Sequence, residues 1–144
     1  MSALHVVFKV AGAEYAMPAS EILQMESYAG ATAVPGVAAH VAGIVQVRGK
    51  VVPVIDVRAR FSLPACAVTP DSRLVVGQRD NRPVALLVDS AREVLRLDED
   101  QIEPAPHTVA SEAAGYVKGV ARVGTRLVML IDFEKVIGED VAHG

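Results

Sequence analysis

Several residue types that support particular functions are scarce in this chain of 144 residues. It has no tryptophan, three phenylalanines, three tyrosines and one cysteine, Cys66. Its 14 lysines and arginines are outnumbered by 17 aspartates and glutamates. A nucleic-acid surface normally needs a basic face and aromatic rings that stack on bases, so no nucleic-acid partner is expected. A single cysteine provides neither an internal disulfide nor a cysteine zinc cluster, and it fits a reducing, cytoplasmic setting.

The sequence also offers no good candidate for a membrane-spanning helix or a signal peptide. Its first residues run directly into strand-like sequence without the three regions of a signal peptide. The stretch from Ser27 to Val47 carries no formal charge, but it contains Gly30, Pro35 and Gly36. These residues favour a loop that leads into a buried strand over a spanning helix. We therefore expect a cytoplasmic protein of one domain, residues 1–144, without direct membrane insertion.

The sequence is rich in valine, and hydrophobic residues make up 51% of it. They form short apolar runs separated by turn residues, a pattern that predicts strands. The predicted strands are Leu4–Val10, Glu14–Met17, Val41–Val47, Val51–Val57, Arg73–Gly77, Pro83–Val88, Ala91–Leu97, Tyr116–Val123 and Arg126–Ile131. Pro53 cannot donate to a ladder, so its strand should lie at an edge or carry a bulge. About ten short strands indicate a mainly β fold, built as a sandwich or as barrels.

Helical signals are few. Ser20 fits the N-cap of a short helix in Glu21–Met25, and Asp132 fits the N-cap of a helix over Phe133–Ile137. The Pro-containing loop of residues 63–71 could separate two halves of the chain, so a subdomain boundary is predicted near residues 62–72. A second long loop, residues 104–114, has the length of a functional loop.

An aspartate follows directly after an apolar run at three places. They are Val54-Ile55-Asp56, Leu87-Val88-Asp89 and Leu130-Ile131-Asp132. Two related barrel-like halves would produce such an echo. The aspartates could form an acid–base pair or a metal site, but capping of turns by their side chains is favoured because no histidine is near them in sequence.

Other catalytic and metal-binding patterns give no positive signal. The four histidines are scattered without ligand spacing, and Cys66 has no histidine near it in sequence to act as a base. No serine lies in a nucleophile-elbow motif, and no glycine-rich phosphate loop is present. We therefore expect a protein that is not an enzyme and that has no cofactor or metal.

The most specific feature is the stretch from Gly43 to Arg58. It begins with a glycine and an apolar run, continues with Arg48-Gly49, and ends Pro53-Val54-Ile55-Asp56-Val57-Arg58. This pattern resembles the signature of the CheW-like chemotaxis coupling family. Other segments agree with that family in order along nearly the whole chain: Phe8 through Pro18, Pro35 ahead of Gly43, Ala85–Ser90, Glu93-Val94-Leu95, Ile102–Pro106, Tyr116–Val120 and Leu127–Lys135.

The resemblance implies a fold and a function. The fold would be mainly β, with two SH3-like five-stranded β-barrel subdomains that share a core and a few short helices. The function would be that of a non-catalytic adaptor that couples methyl-accepting chemoreceptors to the CheA histidine kinase in a bacterial signalling array. The implied partners are the cytoplasmic tip of those receptors and the regulatory domain of the kinase, and the free protein would be a monomer.

The resemblance also assigns candidate receptor-binding residues. They are Ile22, Gln24, Gly43, Arg48 and Val94, with Ile22 and Gln24 on the short predicted helix. Some family members have an acidic residue where this chain has Gln24, so a charge-assisted pair with Arg48 would be lost here. Arg48 could contact the receptor or brace its hairpin. For Gly43 a role in backbone geometry, at a bend or bulge, is favoured over direct contact, and the alternative for Val94 is a place in the core.

On the kinase side, the resemblance assigns contacts to the second half of the chain. The candidates are Val117, Gly119, Val120, His107 and Thr108, of which His107 and Thr108 match a segment used in ring contacts. For Gly119 a role in backbone geometry is favoured over direct contact.

Three other functions stay open from the sequence. One is a CheW-like scaffold in a chemosensory pathway with a pilus or another non-flagellar output. A second is a small enzyme that uses Asp56, Asp89 or Asp132. A third is a β-barrel that binds a small ligand, whose cavity would have to be aliphatic because the chain has so few aromatic residues.

Overall fold

The computed structural model of the chain describes residues 2–106 and 115–138. Eleven strands are present in these ranges. They are β1 (Ser2–Val10), β2 (Ala13–Pro18), β3 (Gln24–Ser27), β4 (Val41–Val47), β5 (Lys50–Asp56), β6 (Arg73–Arg79), β7 (Arg82–Val88), β8 (Ser90–Asp98), β9 (Ile102–Pro104), β10 (Val117–Val123) and β11 (Arg126–Ile131). The helices are α1 (Val57–Arg60) and α2 (Phe133–Ile137), with 3-10 turns at Ala19–Glu21 and Glu99–Gln101.

The strands form two sheets. One has six strands in the order β8-β1-β2-β11-β10-β9, and the other has five in the order β3-β6-β7-β5-β4. The predicted fold class, mainly β with two barrel-like subdomains and a few short helices, is confirmed. The first sheet has six strands rather than five because the short β9 adds to its edge beside β10.

The chain changes sheet at two places, and neither is the predicted boundary. It leaves the six-stranded sheet after β2, enters the five-stranded sheet at β3, and returns between β7 and β8 at Asp89. Residues 62–72 connect β5 and α1 to β6, and β5 and β6 belong to the same sheet. The N-terminal hairpin is completed by C-terminal strands, since β2 pairs in parallel with β11 through Tyr15 opposite Met129. The predicted boundary near residues 62–72 therefore does not coincide with a change of sheet.

Some strands contain a continuous apolar run because both of their faces are buried over that run, as in β1 and β6. On β1, Val7 points into the interior of the six-stranded barrel, whereas Phe8 packs into a core shared by the two sheets. On β6, Val76 lines the five-stranded barrel and Val75 enters the shared core. Successive side chains of a strand point to opposite faces, so a strand buried on both sides reads as a continuous hydrophobic run.

The two sheets repeat one structural unit. In β4–β5, Gly43 lies opposite Val54 after a bulge at Ala42, and in β10–β11, Gly119 lies opposite Leu130 after a bulge at Lys118. Each hairpin is followed by an aspartate that accepts a backbone N–H of the next short helix, Asp56 for α1 and Asp132 for α2. The echo seen in the sequence is therefore structural at Asp56 and Asp132. Asp89 differs, because the strand equivalent to β7 is β2, which ends in Pro18.

Two hairpin turns have positive φ at both of their central residues. The β4–β5 turn has Arg48 at φ 50° and Gly49 at φ 82°, and the β6–β7 turn has Asp80 and Asn81 at 51° and 65°. Two positive φ angles give the hairpin turn that matches strand twist. The edge position considered for the strand of Pro53 is wrong, because β5 lies between β4 and β7. Pro53 is accommodated because the pairing with β7 begins only at Val54.

A partly buried ion pair lies where the two subdomains meet. Arg58 at the start of α1 donates from Nε to Oδ1 of Asp89 over 3.0 Å and from Nη2 to Oδ2 over 2.6 Å. These bonds favour the carboxylate and lower the pKa of Asp89 below its ordinary value, although partial burial acts in the opposite direction. The backbone N–H of Ala11 also donates to this carboxylate.

The lowered pKa of Asp89 predicts a pH-dependent contribution to stability. Above the pKa of the unfolded chain, about 3.9, the ion pair contributes fully, and its contribution is lost as pH falls through the folded value. We expect Asp89→Asn to lower the free energy of unfolding by about 1–3 kcal/mol at pH 7, with the difference shrinking below about pH 4. Urea denaturation at pH 7, 5 and 3 measures this, with Asp100→Asn as an exposed control. A difference that stays constant down to pH 3 would contradict the prediction.

Candidate functional site

Two of the predicted receptor-side residues line one hollow on the five-stranded sheet. Gln24 of β3 and Arg48 of the β4–β5 turn both border this hollow, whose volume is about 140 Å³. Gln24 lies on a strand and not on a helix, which corrects the sequence-based expectation. The helical turn ends at Glu21, after which Leu23 donates its N–H to the carbonyl of Val76 and the chain continues as an edge strand beside β6.

The hollow combines an apolar floor with a polar rim. Side chains of Val47, Val52 and Val76 lie among its lining residues and are buried in the five-stranded barrel. Polar side chains complete the lining: Gln24, Arg48, Lys50, Gln78 and Asn81. An apolar centre inside a polar rim is the organisation of protein interfaces.

Arg48 extends into solvent from the tip of its hairpin. Its side chain is 74% exposed, and its Nε lies 3.8 Å from Oε2 of Glu26. An ion pair as exposed as this contributes little to stability, which argues against a role of Arg48 as an internal brace. The sequence predicts the loss of a charge-assisted pair between Arg48 and residue 24, and in the structure Glu26 is the acidic neighbour of Arg48. The sequence could have indicated this neighbour, because residues 24 and 26 lie on the same face when the segment is read as a strand.

The remaining receptor-side candidates lie in different surroundings. Ile22 is partly buried and packs against the shared core. Val94 lies on β8 in the other sheet, and 57% of its surface is exposed, so its interpretation as a core residue is wrong. The structure therefore brings Gln24 and Arg48 together at the hollow and locates Val94 on the other subdomain.

Gly43 has a backbone role in its strand. It is buried with φ 143°, and a Cβ there would lie 2.2 Å from the carbonyl oxygen of Thr32, which pairs with Ile44. Gly119 is the equivalent residue in β10, where a Cβ would lie 3.0 Å from the carbonyl oxygen of Glu103. At both places a neighbouring segment of the chain approaches the glycine closely beside a bulge. This is the backbone role that the sequence analysis favoured for both glycines.

The kinase-side candidates on β10 offer little side-chain surface. Val117 is 4% exposed and belongs to the shared core, and Gly119 is buried. Val120 is half-buried. His107 and Thr108 lie outside the described residues. Leu127 of β11, which the sequence analysis did not single out, is an apolar residue with 63% of its surface exposed.

The three aspartates considered for catalysis have structural partners. Asp56 accepts the N–H groups of Arg58 and Ala59, Asp132 accepts the N–H of Lys135, and Asp89 pairs with Arg58. Within residues 2–106 and 115–138, no group of three or more histidine, cysteine, aspartate or glutamate side chains is arranged to hold a metal ion. In the same ranges, no helix has the length and apolar character needed to cross a membrane.

Two barrels around a shared core, with an apolar-floored hollow on one of them, define a module with a surface suited to protein interaction. A family model described as "CheW-like domain" matches residues 4–141. Chemotaxis protein CheW of Bacillus subtilis (strain 168) is 32% identical over 135 residues, which cover 94% of this chain and 86% of that protein. Chemotaxis protein CheW of Klebsiella aerogenes is 27% identical over 135 residues, which cover 94% and 81%.

A solved structure agrees with these relatives. The scaffolding protein TtCheW from Thermoanaerobacter tengcongensis superposes with a TM-score of 0.88 at 27% sequence identity, over 97% of this chain and 95% of that one. The chain therefore belongs to the CheW-like family, which confirms the resemblance drawn from the sequence. Membership in this family also agrees with the prediction that the chain is not an enzyme.

The close approach at Gly43 gives a prediction about stability. Gly43→Ala adds a methyl group at positive φ against the backbone of Thr32, whereas Gly30→Ala adds one at φ 128° into open space. We expect Gly43→Ala to lower the free energy of unfolding by about 1–3 kcal/mol more than Gly30→Ala does. Urea denaturation of both variants measures the difference. Equal losses would mean that the segment at Thr32 moves aside without cost.

Proposed function

We propose that this protein is a non-catalytic adaptor of a chemotaxis-type signalling array. In this role it binds the cytoplasmic tip of methyl-accepting chemoreceptors and the regulatory domain of a CheA histidine kinase. It acts in the cytoplasm, reaches the membrane-associated array through these partners, and is a monomer when free. The observation that carries the proposal is the full-length similarity of both barrels to proteins named for chemotaxis and scaffolding.

The proposed receptor surface is centred on the hollow between Gln24 and Arg48. Its apolar floor can receive a side chain of a receptor helix, since a cavity of about 150 Å³ accommodates a benzene-sized group. Arg48 and Lys50 on the rim can pair with carboxylates of the receptor. Val94 extends the proposed surface on the second subdomain, and Gly43 supports it through the geometry of β4.

The proposed kinase surface lies on the six-stranded sheet around β10. Because Val117 and Gly119 are buried, they support this surface from below, and Val120 is the member of the set with partial exposure. His107 and Thr108 remain proposed contacts from the sequence resemblance. An output other than flagellar motility, such as pili, is the second candidate within the same scaffold role.

Charge reversal at Arg48 tests the receptor surface. We expect Arg48→Glu to weaken binding to a soluble chemoreceptor signalling fragment from the same organism by about tenfold or more, which is about 1.4 kcal/mol. The midpoint of thermal unfolding should stay within a few degrees, because the substituted side chain is exposed.

Arg122→Glu is the matched control for this experiment. Arg122 is also an exposed arginine paired with a glutamate, Glu103, but it lies on β10 of the other sheet. Calorimetric titration of the fragment with both variants gives the comparison. Equal weakening by the two variants would indicate a general effect of net charge, and a large loss of stability in Arg48→Glu without a loss of affinity would make Arg48 a brace.

Titration with the kinase tests the second half of the proposal. We expect saturable one-to-one binding of the wild-type protein to the regulatory domain of the CheA kinase from the same organism, measured by calorimetry. Arg48→Glu should keep this affinity, because its side chain lies on the other sheet from the proposed kinase surface. If both partners are folded and no heat of binding is seen, the chain serves a different kinase system or has lost coupling.

A further inference from the structure

Asp89 lies at the point where the chain crosses from one subdomain to the other. It lies between the end of β7 in the five-stranded sheet and the start of β8 in the six-stranded sheet. Its backbone N–H donates to the carbonyl of Lys9 on β1 over 2.9 Å. The crossing is therefore anchored to the six-stranded sheet by the main chain of Asp89.

The side chain of Asp89 connects the crossing to the five-stranded sheet. Arg58, which follows β5 in α1, holds the carboxylate through two N–H groups, and only 18% of the arginine side chain is exposed. A bidentate pair of this kind fixes direction as well as distance. The remaining Nη1 of Arg58 donates to the carbonyl of Pro64 over 2.9 Å, which ties the loop after α1 to the same guanidinium.

The same carboxylate holds a strained turn of the six-stranded sheet. Ala11, in the β1–β2 turn, has φ 52° and donates its N–H to Oδ2 of Asp89 over 2.8 Å. A positive φ is unfavourable for alanine, and the hydrogen bond stabilises the turn in that conformation. Asp89 thus binds the β1–β2 turn and α1 at once, although these belong to different subdomains.

Other ion pairs in the described residues differ from this one in location or burial. Arg126 contacts Glu14 and Glu93, but all three residues lie on strands of the six-stranded sheet. Arg79 of β6 reaches Glu134 of α2 over 3.1 Å, but the side chain of Glu134 is 59% exposed. The pair of Arg58 and Asp89 is distinguished because it is bidentate, largely buried and directed across the crossing between the sheets.

We propose that Arg58 and Asp89 are positioning residues that fix the orientation of one subdomain relative to the other. The functional consequence of this inference rests on the proposed function. An adaptor with partner surfaces on both barrels binds both partners well only when the angle between the two barrels is fixed. The apolar core keeps the barrels together, but aliphatic contacts are not directional. The ion pair supplies the directional constraint.

The test uses two substitutions, each of which removes one property of the ion pair. Asp89→Asn retains an oxygen that can accept from Ala11 but removes the charge, and Arg58→Lys retains the charge but removes the bidentate geometry. Glu93→Gln and Arg126→Lys are the matched controls, because they disrupt a bidentate pair inside one sheet. The first measurement is residual dipolar couplings of backbone amides, which report the orientation of each sheet without any partner.

We expect the couplings of both sheets of the wild type and of the controls to fit one alignment tensor. In Asp89→Asn and Arg58→Lys, the two sheets should require different tensors, while each sheet alone still fits the wild-type geometry. Binding to the receptor fragment should fall about fivefold or more in these two variants and should be unchanged in the controls. The second variant provides the test if the first fails to fold.

One result would overturn the inference, and another would overturn its consequence for binding. If Asp89→Asn and Arg58→Lys lose stability as the controls do but fit one tensor in the wild-type orientation, the pair is an ordinary stabilising contact. If the orientation changes and receptor affinity does not, the pair positions the barrels but does not serve binding. Failure of the wild type to bind either partner would overturn the proposed function instead, and the couplings would still decide the role of the pair.

Discussion

The apolar core between the two sheets is the constraint on which the rest of the molecule depends. It draws on β1, β2, β10 and β11 from one barrel and on β5, β6 and β7 from the other, and α1 and α2 contribute to it. The shared core and the interiors of the two barrels are all made mainly of aliphatic residues, which is consistent with the interior of small barrels. Because strands such as β1 and β6 serve a barrel interior with one face and the shared core with the other, little of their apolar surface is left for partners. The large apolar side chains that remain exposed, such as Met25, Val94 and Leu127, accordingly lie on edge strands or beside turns.

The repeated unit explains why the same residue types recur in both halves. A bulge followed by a glycine allows the carbonyl of a neighbouring segment to approach β4 at Gly43 and β10 at Gly119. An aspartate then ends each hairpin and begins a short helix whose first residue is buried. The halves diverge at their edges, where β9 is a short strand and its counterpart is a single bridge at Thr32. Divergence at the edges gives two barrels of one architecture different exposed surfaces.

The hairpins and the β class could be predicted because they depend on local signals, apolar runs and turn residues that accept positive φ. The division of the chain into subdomains could not be predicted in this way, because it depends on long-range pairing. Tyr15 of β2 pairs in parallel with Met129 of β11, more than a hundred positions away. The helix expected after Ser20 shortened to one turn because pairing of Gln24–Ser27 with β6 overrides a weak helical preference. Burial of Val117 could have been read from the sequence, because Lys118 and Arg122 are exposed and residues 117, 119 and 121 share the opposite, buried face of β10.

Arg58, the last residue of the signature, shows that a residue of a family motif can orient two subdomains instead of contacting a partner. It follows Asp56, which caps α1 by accepting the N–H of Arg58 itself, so the cap sets the backbone from which the guanidinium extends. That guanidinium then holds Asp89 at the crossing between the sheets. Three parts of the sequence that looked separate, the end of β5, the crossing after β7 and the β1–β2 turn, thus form one connected polar network. The exposed Arg48, only ten residues earlier, has no comparable set of partners in the described residues, and its exposure leaves it available at the surface.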